Sequence, residues 1–191
     1  MIRTNNDFLK DIADDSASAL NGEKAITVQS YLEVNAKTGR SFELSSFFEG
    51  VQKSQPEQAV FLTGSLPVIL KDRSFGYTGS AIKADIYTGA TYTGGVAIEI
   101  QNANDINPVD TTVTVLQGAA ITSLGSKFAA TAYLLGGALN QNKGSASQTV
   151  ATEYILKPNT AYVFKVESMD NQSQDIAVRN SWFEGEPDLP L

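Results

Sequence analysis

The chain has 191 residues, of which 42% are hydrophobic and 18% are charged, with a net charge of -7. This length suits one domain, or one domain with an arm, and the hydrophobic fraction is high enough to exclude global disorder. The acidic balance and the lack of any basic run disfavour a nucleic-acid-binding protein, because phosphate contacts need clustered Lys and Arg. With so few charges, the polar surface must consist largely of Ser, Thr, Asn, Gln and Gly. Such a composition is common in extracellular, viral and carbohydrate-facing β proteins.

The sequence contains neither cysteine nor histidine. This excludes disulfides, thiolate nucleophiles, Cys or His metal sites, and Ser-His-Asp or Cys-His catalysis. No phosphate-binding loop or dinucleotide fingerprint is present either, so we expect no cofactor and no metal. An enzyme would need paired carboxylates, as glycoside hydrolases do. The candidates at polar positions of predicted strands are Glu33, Glu43, Asp85, Glu99, Glu153 and Glu167. No pair among them stands out, and we expect no enzymatic activity.

Residues 1–24 form a polar lead-in before the turn signal Asn21-Gly22. They lack the apolar core of a secretory signal, and no run of about 18 apolar residues suggests a membrane span. We predict an N-terminal arm here. It is either a mobile terminus or a segment that orders against a neighbouring subunit through Phe8 and Leu9.

Short segments that alternate between apolar and polar residues predict about ten strands between residues 25 and 183. The predicted strands cover 26–34, 42–48, 59–63, 67–71, 82–87, 96–101, 112–116, 127–135, 150–156, 161–166 and 176–182, the eighth of which would also permit a short helix. The predicted loops cover 51–58, 72–79, 102–110 and 136–147. Turns every eight to twelve residues are typical of an all-β sandwich or jelly roll.

The stretch from Tyr154 to Phe183 is interpreted as a hairpin that closes the sandwich, with a polar turn at 169–174. We expect Trp182, the sole tryptophan, to be at least partly buried near Tyr154 or Tyr162. We place the domain at 25–183 and a C-terminal tail at 184–191. The prolines of the tail keep it out of a helix or central strand. The tail is either a frayed end or an extended segment anchored on a neighbour by Leu189 and Leu191.

Two further patterns have alternative interpretations. The tripeptide Tyr-Thr-Gly begins at Tyr77, Tyr87 and Tyr92. These tyrosines either stack on a sugar or fill a partner's pocket, or simply end strands. A loop rich in oxygen-bearing side chains contains Asn102, Asn104, Asp105, Asn107 and Asp110. It has too few carboxylates for tight calcium binding, so we predict a loop stabilised by its own side-chain hydrogen bonds.

The segment Tyr154–Tyr162, its following polar turn and strand, and the end Trp182-Phe183-Glu184-Gly185-Glu186 resemble the C-terminal half of small virion structural proteins of tailed bacteriophages. The runs 102–109 and 141–144 are similar to loops of the same group. The resemblance implies a capsid decoration or cement protein in the virion, made in the host cytoplasm. Its partners would be the major capsid protein or other virion proteins, and we expect a homo-oligomer, a trimer or dimer, without nucleic acid or membrane. The alternative is a receptor- or carbohydrate-binding module of the tail, collar or fibre.

Overall fold

The computed structural model describes residues 31–136 and 146–185. The chain divides into two compact units, residues 1–34 and 35–191, and only Tyr31–Val34 of the first is described. The elements are helix α1 (Tyr31–Lys37) and strands β1 (Ser41–Val51), β2 (Glu57–Leu62), β3 (Val68–Tyr77), β4 (Ala81–Thr88), β5 (Thr91–Thr93), β6 (Val96–Ile98), β7 (Gln101–Asn102), β8 (Thr114–Gln117), β9 (Ala120–Ser123), β10 (Ser126–Lys127), β11 (Ala132–Leu135), β12 (Ala146–Val150), β13 (Tyr154–Leu156), β14 (Ala161–Ser168) and β15 (Gln174–Glu184).

These strands form a β-sandwich, which confirms the predicted fold class. Sheet I has the strand order β12-β3-β15-β1-β7, with β13 also paired to β3. Sheet II has the order β10-β4-β14-β2-β8-β6, with β11 also paired to β4. Every pairing between described strands is antiparallel. The pair β5-β9 forms a separate two-stranded sheet.

The core between the sheets is centred on Trp182, which is fully buried as predicted. Its ring packs on Phe42 of sheet I at 6.0 Å and edge-on against Phe61 of sheet II at 5.3 Å. The predicted neighbours Tyr154 and Tyr162 belong to the same hydrophobic cluster. Because one tryptophan bridges the two sheets, its burial is coupled to the formation of the whole sandwich.

The predicted closing hairpin is wrong. Strand β14 pairs with β2 and β4 in sheet II, whereas β15 pairs with β1 and β3 in sheet I. The polar connection therefore crosses from one sheet to the other. Gln174 stabilises this connection between the sheets, since its Nε2 donates to Ser168 Oγ at 2.6 Å and to Ala81 O at 2.9 Å. Alternation indicates which side chains face inward, but it does not indicate which sheet a strand joins.

The strand predicted at 26–34 is also wrong where it can be compared, because Tyr31–Lys37 is helical; residues 26–30 lie outside the described part. Glu33 in the first turn and Lys37 in the last complement the helix dipole. Gly39 then takes a left-handed φ of 71° and its N–H donates to Ala36 O at 3.1 Å, an ending typical of helices.

Residues 72–77 of the loop predicted at 72–79 are instead the second half of β3. Leu70 pairs with Trp182 and Asp72 pairs with Ser181, so Lys71 is an extra residue that forms a β-bulge. The bulge reverses which alternate residues face the core. Residues after it that are buried are Arg73, Phe75 and Tyr77. A single alternation pattern therefore does not run through β3, so the sequence of its second half indicates a loop although the segment is a strand.

Other boundaries differ in smaller ways. Strand β2 begins at Glu57, inside the loop predicted at 51–58. The strand predicted at 96–101 is broken into β6 and β7, and the segment 127–135 contains β10 and β11 rather than a helix. Strand β15 continues to Glu184, one residue past the predicted end of the domain.

Candidate partner-binding surface

Only some of the residues proposed from sequence as partner contacts lie in the described part of the chain. Phe8, Leu9, Leu189 and Leu191 fall outside it. Tyr77 is 2% exposed and belongs to a core cluster, so it has no ring face to offer a ligand. The interpretation of Tyr77 as a loop contact is therefore wrong, for the same reason that its loop is a strand.

Tyr87 and Tyr92 are brought together on the outer side of sheet II. Both are half-buried and pack against a small cluster that includes Val60 and Val163. These two valines alternate with core residues along β2 and β14, so the cluster lies on the opposite face of the sheet from the core. Both tyrosines pack against this cluster, Tyr92 from the middle of β5 and Tyr87 from the next-to-last position of β4.

The loop of residues 102–110, here called the Asn-rich loop, is held by its own side chains, as predicted. Asn102 Oδ1 accepts from the N–H of Asn104 at 2.8 Å, and its Nδ2 donates to Gly39 O at 2.7 Å and Val109 O at 2.9 Å. These bonds close the loop on itself and tie it to the turn after α1. In the described ranges, no group of three or more acidic side chains is placed to hold a metal ion.

Asn104 ties the same loop to the C-terminal end of helix α1. Its Oδ1 accepts from the N–H groups of Ile106 and Asn107 at 3.0 and 2.9 Å. Its Nδ2 donates to Ala36 O at 3.1 Å and Lys37 O at 2.9 Å, carbonyls that a helix end leaves without helical partners. The backbone of the loop packs closely against the backbone at Gly39, since a Cβ atom on Gly39 would lie 2.3 Å from Asn107 O.

The Asn-rich loop exposes apolar side chains to solvent. Ile106 is 89% exposed and Val109 is 48% exposed. Because hydrogen bonds within the loop already fix its backbone, little backbone entropy would be lost if these apolar side chains were buried against a partner.

Glu184 anchors the segment that leaves the Asn-rich loop. Its carboxylate is 3% exposed and accepts from Trp182 Nε1 at 3.1 Å, from the hydroxyl of Thr111, and from Thr112 N and Oγ1 at 2.7 and 2.8 Å. Sequence reasoning missed this residue by placing it in the tail. The available signal was its spacing from Trp182, because residues two apart in a strand share a face.

A second exposed surface lies on the outer face of sheet I. An open groove of about 370 Å³ is lined by Asp72, Ser74, Thr149, Arg179 and Ser181. A neighbouring groove of about 270 Å³ shares Ser74 and Arg179 and includes Phe47, which is 58% exposed. Arg179 forms an ion pair with Glu43 on the adjacent strand. The two grooves are thus lined by hydroxyl, carboxylate and guanidinium groups and by one exposed aromatic ring.

The carboxylates considered for catalysis are mostly held by cations. Ion pairs join Glu43 to Arg179, Asp85 to Lys127, Glu153 to Lys71, and Glu167 to Lys83 and Lys165. Burial alone would raise the pKa of Asp85, but hydrogen bonds from Lys127 and Thr131 outweigh it and leave the pKa below its ordinary value. Burial alone would also raise the pKa of Glu167, but its interactions with Lys83 and Lys165 outweigh burial and lower the pKa. A general acid needs the opposite shift, so these two groups are poor candidates for that role.

No family model matches the chain, and no curated protein matches it. Among solved structures, a crystal structure of the infectious bursal disease virus VP2 subviral particle overlaps 88% of this chain and 46% of that chain, at 12% identity and a TM-score of 0.17. A TM-score this low carries no argument about fold or function. No helix in the described ranges has the length and apolar character needed to cross a membrane.

Proposed function

We propose that this protein is a non-enzymatic structural protein of a bacteriophage virion, a capsid decoration or cement protein that binds and stabilises the head shell. The observation that carries the proposal is the Asn-rich loop. It is one of the segments on which the resemblance to phage virion proteins depends. It is also braced by Asn102 and Asn104 while it projects Ile106 into solvent.

The physical argument concerns the free energy of ordering. A flexible loop loses backbone entropy of about 1–2 kcal/mol per residue when a partner fixes it. In this loop the side-chain hydrogen bonds already fix the backbone, so less is lost on binding. Burying one aliphatic side chain such as Ile106 contributes about 1.5–3 kcal/mol. Repetition of that contact around a shell would reinforce the joints between capsid subunits.

Attachment can be tested by co-sedimentation of the purified chain with phage heads that lack it. We expect Ile106→Asp to abolish co-sedimentation without changing the thermal midpoint, because the side chain is exposed. The matched control is Leu135→Asp, which changes an apolar residue of 65% exposure on β11, at the opposite edge of the sandwich. Equal binding by wild type and Ile106→Asp would exclude the Asn-rich loop as the contact.

Copy number separates a head protein from a tail protein. Quantitative mass spectrometry of purified particles should give a ratio to the major capsid protein that matches the number of shell subunits or of their symmetric clusters. A handful of copies per particle would instead indicate a tail, collar or fibre position and would contradict decoration.

The second candidate function is glycan binding, and the groove on the outer face of sheet I favours it. Arg179 offers several donors, Asp72 offers acceptors, and the ring of Phe47 provides a flat apolar wall. A glycan array with wild type and Arg179→Ala would test this candidate. Binding to a defined sugar that is lost in the variant would support a receptor-binding module, and no binding across the array would remove it.

A further inference from the structure

Arg73 is a buried cation in the centre of the sandwich. It is 2% exposed, and no protein group in the described part of the chain bonds to its Nε or Nη2. These two nitrogens lie on the same edge of the planar guanidinium, where their N–H bonds run parallel. One acceptor in front of this edge can receive a hydrogen bond from both donors.

A matching acceptor lies on the neighbouring strand. Asn180 is the direct antiparallel partner of Arg73, so their side chains leave the same face of sheet I about 5 Å apart. Asn180 is 5% exposed, and its Oδ1 likewise has no bonding partner among the described residues. The two side chains therefore leave two donors and one acceptor unsatisfied within a short distance.

The space between them has the size of one small molecule. Arg73 and Asn180 both line a cavity of about 20 Å³, whose other walls include the apolar residues Phe75, Ile86 and Val178 and the charged residues Asp85 and Lys165. A water molecule needs at least about 10–15 Å³ of such space. Asn180 also lines a second cavity of about 20 Å³.

The carboxylate residue that lines this cavity, Asp85, is paired with Lys127. No ion pair in the described ranges balances the charge of Arg73. Burial lowers its pKa, and Tyr154 partly offsets this effect. The guanidinium carbon lies 5.1 Å from the centre of the Tyr154 ring, within the range of a cation–π contact. The ring stabilises the charge but leaves the Nε and Nη2 edge unsatisfied.

We propose that this cavity is a specific hydration site in which one buried water molecule bridges Arg73 and Asn180. The water accepts hydrogen bonds from Nε and Nη2 and donates one to Asn180 Oδ1, which satisfies all three atoms. A halide would also accept from Arg73, but it would face the partial negative charge of Asn180 Oδ1. The bridging water lies close to the bulge of β3. It also lies beneath the groove on the outer face of sheet I, because the groove residues Ser74 and Arg179 are next to Arg73 and Asn180 in the sequence.

Crystals of the full chain grown with bromide in place of chloride test the identity of the occupant. We expect one density peak within hydrogen-bond distance of Arg73 Nε, Arg73 Nη2 and Asn180 Oδ1, without an anomalous signal at the bromine edge. A bromine signal there would show an anion site instead, and the absence of a peak would show that no bound molecule bridges the pair. Both results overturn the proposal.

A solution measurement gives an independent test. The number of long-lived internal waters, counted by ¹⁷O relaxation dispersion, should fall by one in Arg73→Met relative to wild type. Arg179→Met makes the same change on the exposed face of sheet I and should leave the number unchanged. If Arg73→Met does not fold, Arg73→Lys keeps the charge, removes the two-donor edge and should also lose the water. An unchanged number in a folded Arg73 variant contradicts the site.

Discussion

At the scale of single residues, Glu184 shows how one buried carboxylate can connect distant parts of a chain. It receives hydrogen bonds from Trp182 in the core and from Thr111 and Thr112 after the Asn-rich loop. A carboxylate is suited to this position because it only accepts, and all of its partners donate. The residue is thus a structural anchor, although its place near the acidic C-terminal end suggested an exposed tail.

The first prediction concerns this anchor. Glu184→Gln replaces one oxygen by an NH₂ group that faces donors, so we expect the free energy of unfolding to fall by about 2–4 kcal/mol. Urea denaturation at neutral pH measures the loss. Glu153→Gln is the matched control, since Glu153 is exposed and its ion pair should contribute at most about 1 kcal/mol. Equal stabilities for the two variants would show that the Glu184 network is energetically unimportant.

The second prediction concerns pH and Asp85. Its pKa is lower in the folded protein than in the unfolded chain, because the bonds from Lys127 and Thr131 outweigh burial. Its stabilising contribution is therefore present above the unfolded pKa of about 3.9 and is lost as the pH falls through the lower folded value. The stability difference between wild type and Asp85→Asn should be largest at neutral pH and shrink below about pH 4.

Denaturation curves across this range measure that difference. Asp110→Asn, which removes an exposed carboxylate, is the control and should differ little from wild type at any pH. A difference for Asp85→Asn that stays constant down to strongly acidic pH would contradict the ion-pair explanation.

At the scale of elements, the Asn-rich loop owes its conformation to two side chains rather than to regular structure. Asn104→Ala removes four hydrogen bonds, two within the loop and two to the end of α1. We expect faster hydrogen exchange at the N–H groups of Ile106 and Asn107, with only a small change in the thermal midpoint, because the loop lies outside the core clusters. Exchange measured by mass spectrometry or NMR tests this third prediction.

Asn107→Ala provides the matched control for the loop, because its exposed side chain makes no hydrogen bond to another described residue. It should leave exchange in the loop unchanged. Similar exchange in both variants would show that the loop is held by something other than Asn104.

Some elements could be predicted from the sequence and others could not, for identifiable reasons. Strands β4 and β14 carry an apolar residue at every second position that faces the core and pair with each other through seven residue pairs, so their existence was predictable. The second half of β3 was not, because the bulge at Lys71 interrupts its alternation. The crossing between β14 and β15 was not either, since a short polar connection fits a hairpin and a crossover equally well.

At the scale of the whole molecule, the fold class followed from composition and alternation, because many short apolar strands can bury their faces only in stacked sheets. The candidate site was only partly predictable. The Asn side chains that brace the loop were recognisable from their spacing and turn preference. The exposure of Ile106 and the pairing of Arg73 with Asn180 depend on strand register, which no local pattern specifies.

The last prediction concerns the ends of the chain. Every described residue of the three core clusters lies between Phe42 and Trp182 in the sequence. We therefore expect deletion of residues 1–20, or of 186–191, to leave the thermal midpoint nearly unchanged. Apolar anchors such as Phe8 or Leu189 could contribute about 1.5–3 kcal/mol each on a partner surface, so the same deletions should weaken oligomerisation or attachment to the particle. Calorimetry and co-sedimentation with heads measure the two effects separately.

A slightly longer C-terminal deletion sharpens this test. Removal of 184–191 also removes Glu184 and its hydrogen bonds to Trp182, Thr111 and Thr112. This deletion should lower the thermal midpoint markedly, whereas removal of 186–191 should not. If the shorter deletion destabilises the protein as much as the longer one, residues 186–191 belong to the folded core and the boundary of the domain lies beyond Gly185. If the shorter deletion affects neither stability nor attachment, the C-terminal residues do not contact the shell.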